Sequence, residues 1–156
     1  MRRFWSVFAL LLTISCHGAA REAKDAGVSA LPAAAIRFET PRGPWIVRVE
    51  IAHADQDRAR GLMFCRDLPA NRGMIFIFDE TSEHVFWMHN TLIGLDMIFL
   101  GEDRGVVGVV ERAAPRTDTS RTVGKPSRYM LEVSGGEAAA HGVGPGTRAV
   151  FIDVPE

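Results

Sequence analysis

The chain is 156 residues long, 47% hydrophobic and 24% charged, with a formal net charge of −1. That length is about one domain, and the balance is that of a globular chain able to bury its own core without disulfides or metals. Near-neutral charge excludes a protein held to nucleic acid by a basic face, and no polybasic tract is present for an anionic membrane surface.

The first residues read as an export signal. Arg2 and Arg3 form a basic start, and residues 4–14 (FWSVFALLLTI) an apolar run of signal-peptide length, short of the ~20 residues of a membrane span. Two ends to this signal compete. Residues 12–16 (LTISC) resemble a bacterial lipobox, in which Cys16 is lipidated and becomes the first residue, whereas Gly18, Ala19 and Ala20 offer small residues for ordinary cleavage. A retained N-terminal anchor is a third reading. The expected organisation is a signal over 1–20, a flexible Ala- and charge-rich linker over 21–35, and a single domain over 36–156. The expected location is the periplasm, either free or as a membrane-anchored lipoprotein of a bacterial envelope. Without Arg2 and Arg3 the chain keeps 16 basic against 19 acidic residues, near −3. With Cys16 lipidated or discarded, Cys65 stands alone and no intramolecular disulfide is possible. It then reads as a reactive or interchain thiol, or more simply as a small, half-buried apolar side chain.

Within the domain, residues 45–51 (WIVRVEI) alternate as a half-buried strand does. Asp55 is placed to N-cap a short helix over 55–63, with Ala59, Leu62 and Met63 as its apolar stripe and Gly61 limiting its length. Residues 68–73 form a loop, 74–78 (MIFIF) a strand buried on both faces, 84–88 another strand and 95–100 a further one. The segment 101–105 (GEDRG) has hairpin chemistry, with 106–110 as the returning strand. The polar stretch 112–127, with prolines at 115 and 126, is the longest irregular segment, and loops of that length are often functional or mobile. Residues 129–133 (YMLEV) alternate again, 135–136 open a short Ala-rich helix over 137–141, and 148–154 close the domain. The expected class is α+β, predominantly β: a barrel-like sheet of about eight strands with two short helices, consecutive strands often pairing as hairpins.

The segment 85–100 (VFWMHNTLIGLDMIFL) carries the candidate site. Two apolar runs flank the polar centre His89, Asn90 and Thr91, which is a tight turn or the floor of a site. Asp96 lies inside the second run and is expected to be at least partly buried. Such a carboxylate needs hydrogen-bond donors or a cation, with Asn90, Thr91, Arg60 or Arg72 as possible partners, or else it pins the turn through backbone N–H groups. Trp87 and Met88 either line a pocket or belong to the core. His84 and His89 are five residues apart and converge only if the chain turns between them. The histidines have no zinc spacing, and no nucleophile-elbow, H-E-x-x-H or P-loop pattern is present. No metal and no cofactor is expected. The glycines of 142–146 (GVGPG) read as a tight helix-to-strand turn, since Pro145 removes a donor from any anion cradle.

Taken together, GLMFCRDLP (61–69), GMIFIF (73–78), FWMHNTLIGLDMIFL (86–100), YMLEVSGG (129–136) and HGVGPGTRAVF (141–151) resemble the domain-of-unknown-function family 192. The resemblance spans about 36–154 and implies a mostly β domain, often exported or membrane-attached, with no accepted activity. Its recognisable positions fall on Gly61, Leu62, Met63, Pro69, Gly73, Met74, Trp87, Met88, Asn90, Thr91, Leu95 and Asp96. His89 stands where the family usually has Lys or Arg, Cys65 where it often has Arg, and Thr147 where an Asp is common. A neutral His at 89 would make anion binding there depend on pH.

Three functions compete. The first is a binding module whose pocket around Trp87, Met88, His89, Asn90, Thr91 and Asp96 takes a small polar ligand or a partner segment. The second is a structural or assembly protein of the envelope. The third is a periplasmic acid–base enzyme using Asp96 and His89. The expected partners are a small molecule or an envelope protein, with membrane contact only through the N-terminal lipid.

Overall fold

In the computed structural model, residues 34–155 are described. The signal, Cys16 and nearly all of the expected linker lie outside them. The first strand, β1 (Ala35–Thr40), turns directly into β2 (Gly43–Ala52), and the two pair antiparallel. A short helix, α1 (Asp55–Arg60), carries the chain across to β3 (Arg72–Ser82), which lies parallel to β2. Parallel neighbours need such a crossover. Then follow β4 (Leu95–Leu100), β5 (Val106–Ala113), β6 (Ser127–Ser134), helix α2 (Glu137–His141) and β7 (Arg148–Ile152).

The sheet order is β5-β4-β6-β3-β2-β1-β7. Its edges approach each other: Gly105 and Arg148 form an isolated bridge, and the Val106 N–H donates to the Thr147 carbonyl at 2.9 Å. The sheet is thus a curled half-barrel. Period-two alternation sorts its side chains. Ile36, Phe38, Val47, Ile75, Ile98, Leu131 and Val133 fill the concave interior. Phe76, Leu95, Met97, Phe99 and Met130 form a second cluster on the convex face, where Leu62, Cys65 and Met88 cover them. All six residues of β4 are buried, so this strand serves both cores, and each large apolar side chain there contributes ~1.5–3 kcal/mol.

The two short helices, the 101–105 hairpin and the predominantly β class follow the sequence. Several details differ. There are seven strands in the described residues, because 84–88 makes only one bridge, Phe86 with Arg121. Val85 and Trp87 are both 59% exposed there, so the segment has no second face to bury and stays a strap over the sheet. Asp55 is the first helical residue and not the cap. Ala54 occupies that position without a side-chain bond, while Asp55 pairs with Arg58 one turn on. The helix stops at Arg60, with Gly61 at φ 48°. Among consecutive strands only β1–β2 and β4–β5 are antiparallel partners, since β6 inserts between β3 and β4. Cys65 is buried, as a small apolar residue would be, yet it is not a free thiol.

Candidate functional site

Asp96 is completely buried, and both its oxygens are occupied by main chain. Oδ1 accepts from the Arg112 N–H at 2.7 Å, and Oδ2 from the N–H groups of Gly136 and Ala138, each at 2.9 Å. One carboxylate therefore does two structural tasks. It satisfies orphan donors at the start of α2, whose own cap residue, Gly136, has no side chain to do so. It also holds the irregularity between Leu95 and Met97, where Arg112 takes φ 48° on the facing strand. The side chains proposed from sequence as its partners, Asn90, Thr91, Arg60 and Arg72, do not bond it. Asp96 pairs in register with Val133 and so faces the concave core, whereas Met88 lies in the convex cluster.

The polar centre of the segment is a turn. The Thr91 N–H donates to the Met88 carbonyl at 3.1 Å, and Asn90 takes φ 53°, a conformation Asn tolerates well. Met88 and Thr91 are buried beneath it. The turn is a junction for two other segments: the Phe64 N–H donates to the Asn90 carbonyl at 2.9 Å and the Arg116 N–H to the Thr91 carbonyl at 3.0 Å. His89 is half-exposed and pairs through Nδ1 with Oδ1 of Asp118 at 2.7 Å. The imidazole's carboxylate partner is thus Asp118 of the long polar loop and not Asp96.

Of the six candidates, Trp87, His89 and Asn90 are exposed, and Trp87 lines a cleft that the other five do not. This cleft, of about 510 Å³, lies between α1 and the 84–87 strap, within the size range of small-molecule sites. Its walls are largely aromatic. Phe78 stacks on His84 at 3.6 Å, and Phe86 sets its edge toward Phe76, Phe78 and Phe99 at 5.4, 6.1 and 5.7 Å. Arg58 enters from α1, 5.6 Å from the Phe78 ring centre, but its charge is committed. It bonds the carbonyls of His53 and Ile77 and the Asp55 carboxylate. Burial holds the His84 imidazole below its ordinary pKa, so it is neutral at pH 7. The cleft therefore presents ring faces and neutral polar groups, with Ser120 at its mouth.

A second buried carboxyl, which no motif singled out, lies on the same side of the sheet. Glu132 on β6 is only 5% exposed and stands opposite Met74 of β3 and Met97 of β4. It takes a hydrogen bond from the Leu62 main chain, while Oε2 has no partner. Burial pushes its pKa up to about 8, so it is mostly protonated at neutral pH. The signal existed in the run YMLEV. Alternation sets Glu132 with Met130, and the methionines of the facing strands make that face apolar. No group of three metal-ligating side chains occurs among the described residues.

Fold and site together define a small, predominantly β half-barrel domain with an aromatic cleft on its convex side. The chain belongs to the DUF192 family of uncharacterised proteins, whose model matches residues 38–151. A crystal structure of a protein of unknown function from Novosphingobium aromaticivorans is 32% identical, with a TM-score of 0.73, over 86% of this chain and 99% of that one. A crystal structure described as a candidate transcription regulator from Sinorhizobium meliloti is likewise 32% identical, with a TM-score of 0.73, over 80% of this chain and 98% of that one. No curated protein matches the chain at a significant level.

Proposed function

We propose that this protein is a binding module whose ligand is a small molecule with a flat, apolar body, held in the cleft beneath Trp87. The observation that carries this reading is the cleft itself, about 510 Å³ and walled by Phe76, Phe78, Phe86 and Trp87. Large indole surface left 59% exposed beside a concave aromatic wall favours stacking with a planar guest. The charges nearby are already neutralised within the protein, which favours an uncharged guest over an ionic one. Asp96 supports the scaffold from the opposite face in this reading and touches no ligand. The basic start and apolar run of residues 2–14 support export; intact-mass measurement of the mature protein distinguishes cleavage before an acylated Cys16 from cleavage after Ala20.

The test is titration of the isotope-labelled protein with naphthalene, followed by amide and indole chemical shifts. The expected result is a saturable shift confined to 84–87, Ala59 and Ser120, abolished in Ala59→Trp, where a bulky side chain fills the mouth from an exposed helical position. Shifts scattered instead over other exposed apolar residues, such as Ile46, Phe64 and Ile152, would sink the reading.

A further inference from the structure

We propose that the open edge of β5 is a binding site separate from the cleft beneath Trp87. Its occupant is the C-terminal segment of a partner polypeptide, added as a short antiparallel strand with its terminal carboxylate at Lys125.

A groove of about 410 Å³ runs beside residues 107–111, between the turn 143–145 and the loop residues Thr122, Val123 and Lys125. All five consecutive residues of β5 line it. One face of a strand presents every second residue, so the groove lies along the strand's edge and not on a face. Strand β5 ends the sheet order, and among the described residues 107–111 makes no main-chain bond outside its pairing with β4. Such an edge holds N–H and C=O groups ready for another strand. The two walls belong to different layers: Val143 packs with the concave core and Val123 with the convex cluster. An extended chain, whose side chains point alternately to opposite sides, meets apolar surface with each.

The edge is blind at one end. There the Val106 N–H donates to the Thr147 carbonyl at 2.9 Å, and the Val106 carbonyl accepts from the Gly146 N–H at 2.8 Å. At the other end Arg112 takes φ 48° and turns its N–H to Asp96. Register irregularities flank the span on both sides, and bulges of this kind keep an edge from pairing end to end with another sheet. What remains is residues 107–111, ~17 Å of strand, long enough for a peptide and short for the sheet of a second copy. An added strand must stop at Val106, so a chain terminus fits there better than a segment that runs on. Lys125 decides which terminus. Its Nζ donates to the Val107 carbonyl at 3.3 Å, at the closed end, and makes no ion pair among the described residues. An ammonium at that point attracts a carboxylate and repels an N-terminal amine. The antiparallel direction sets the C-terminus there and the residue four positions upstream beside Glu111, the other charge on the lining. A basic side chain at that position complements it.

The probe is the peptide acetyl-Arg-Val-Thr-Val-Val with a free C-terminus, titrated into the isotope-labelled full protein and followed by amide chemical shifts. The expected result is a saturable shift over 107–111, 122–125 and 143–145. Binding should be roughly tenfold tighter than for the C-terminal amide of the same peptide, the scale of one charge-assisted hydrogen bond. Lys125→Gln levels the two forms. Gly144→Leu abolishes binding: a Cβ at Gly144 meets nothing within 4 Å, so the new side chain stands in the groove, and an amide spectrum unchanged elsewhere shows that the fold is kept. Peptides methylated on alternate main-chain amides, in the two possible phases, separate strand addition from side-chain contact, because only one phase turns its N–H groups toward β5. Equal binding of the acid and the amide would overturn the chain-terminus reading, and equal binding of both methylated phases would overturn strand addition. Self-association of the protein through 107–111 would replace the peptide with a second copy. No saturable shift at millimolar peptide would overturn the site altogether. None of these outcomes bears on the cleft beneath Trp87.

Discussion

Asp96 and Glu132 stand one register step apart on the adjacent strands β4 and β6, yet they point to opposite faces of the sheet. Both are buried among apolar side chains. Asp96 accepts three main-chain N–H bonds, whereas Glu132 leaves Oε2 without a partner. The same residue chemistry therefore yields a rivet on the concave side and an unsatisfied group on the convex side.

Asp96→Asn converts one accepting oxygen into a donor and aims it at an N–H group of either Arg112 or the start of α2. Loss of charge-assisted bonds of this kind costs ~2–4 kcal/mol. Urea unfolding should show a lower midpoint by that amount, while naphthalene still binds the folded fraction. A variant of wild-type stability would remove the structural role assigned here.

Glu132 gives stability a definite pH dependence. Its folded pKa, about 8, lies above the ordinary 4.5, so between those values the native state holds more of this proton than the unfolded chain does. Its contribution to stability is fully present below the ordinary value and is lost as the pH rises to about 8, at up to ~1.4 kcal/mol per pH unit. Glu132→Gln removes this slope. Chemical denaturation at a series of pH values checks it: parallel curves for the two proteins would refute the assignment.

Gly73 begins the run GMIFIF for a steric reason. A Cβ there would lie 2.3 Å from the main-chain carbonyl oxygen of Glu132, a contact that cannot be relieved by turning a side chain. Gly73→Ala must push β3 away from β6, and a loss of ~2–4 kcal/mol, in the range of overpacked or strained sites, is expected in thermal or urea unfolding. A loss below ~1 kcal/mol would mean that the strands separate freely at this point.

The pair of His89 and Asp118 is short but wet, its side chains 52% and 72% exposed. Exposed pairs contribute ~0–1 kcal/mol and weaken with salt. A double-mutant cycle with His89→Ala and Asp118→Ala should return a coupling in that range at low salt and near zero at high salt. A large, salt-resistant coupling would instead point to a buried role for the imidazole.

Much of the architecture was legible in the residues. Alternation in 45–51 and 129–133, the charged turn of 101–105 and the glycine-bounded helix at 137–141 all depend on neighbours a few positions away. The same local logic explains the misreading of 84–88: its apolar composition is that of a strand, but strand formation also requires a partner edge and a covered face. Only Phe86 found a bridge, and Trp87 was left at the cleft. Asp96 was visible as a buried carboxylate, but its partners were not, because they lie 16, 40 and 42 residues away.

By itself, then, the sequence determined which faces of most strands are apolar, where several turns fall and which family the chain belongs to. Those properties follow from period-two geometry, turn chemistry and motif order. Tertiary structure alone decided that β6 enters between β3 and β4. That insertion carries Glu132 between two methionines and under Gly61, and puts Asp96 beside the start of α2. Whether a buried carboxyl becomes a rivet or an unsatisfied donor depends on which distant N–H groups the fold brings within 3 Å, and local periodicity holds no record of that distance.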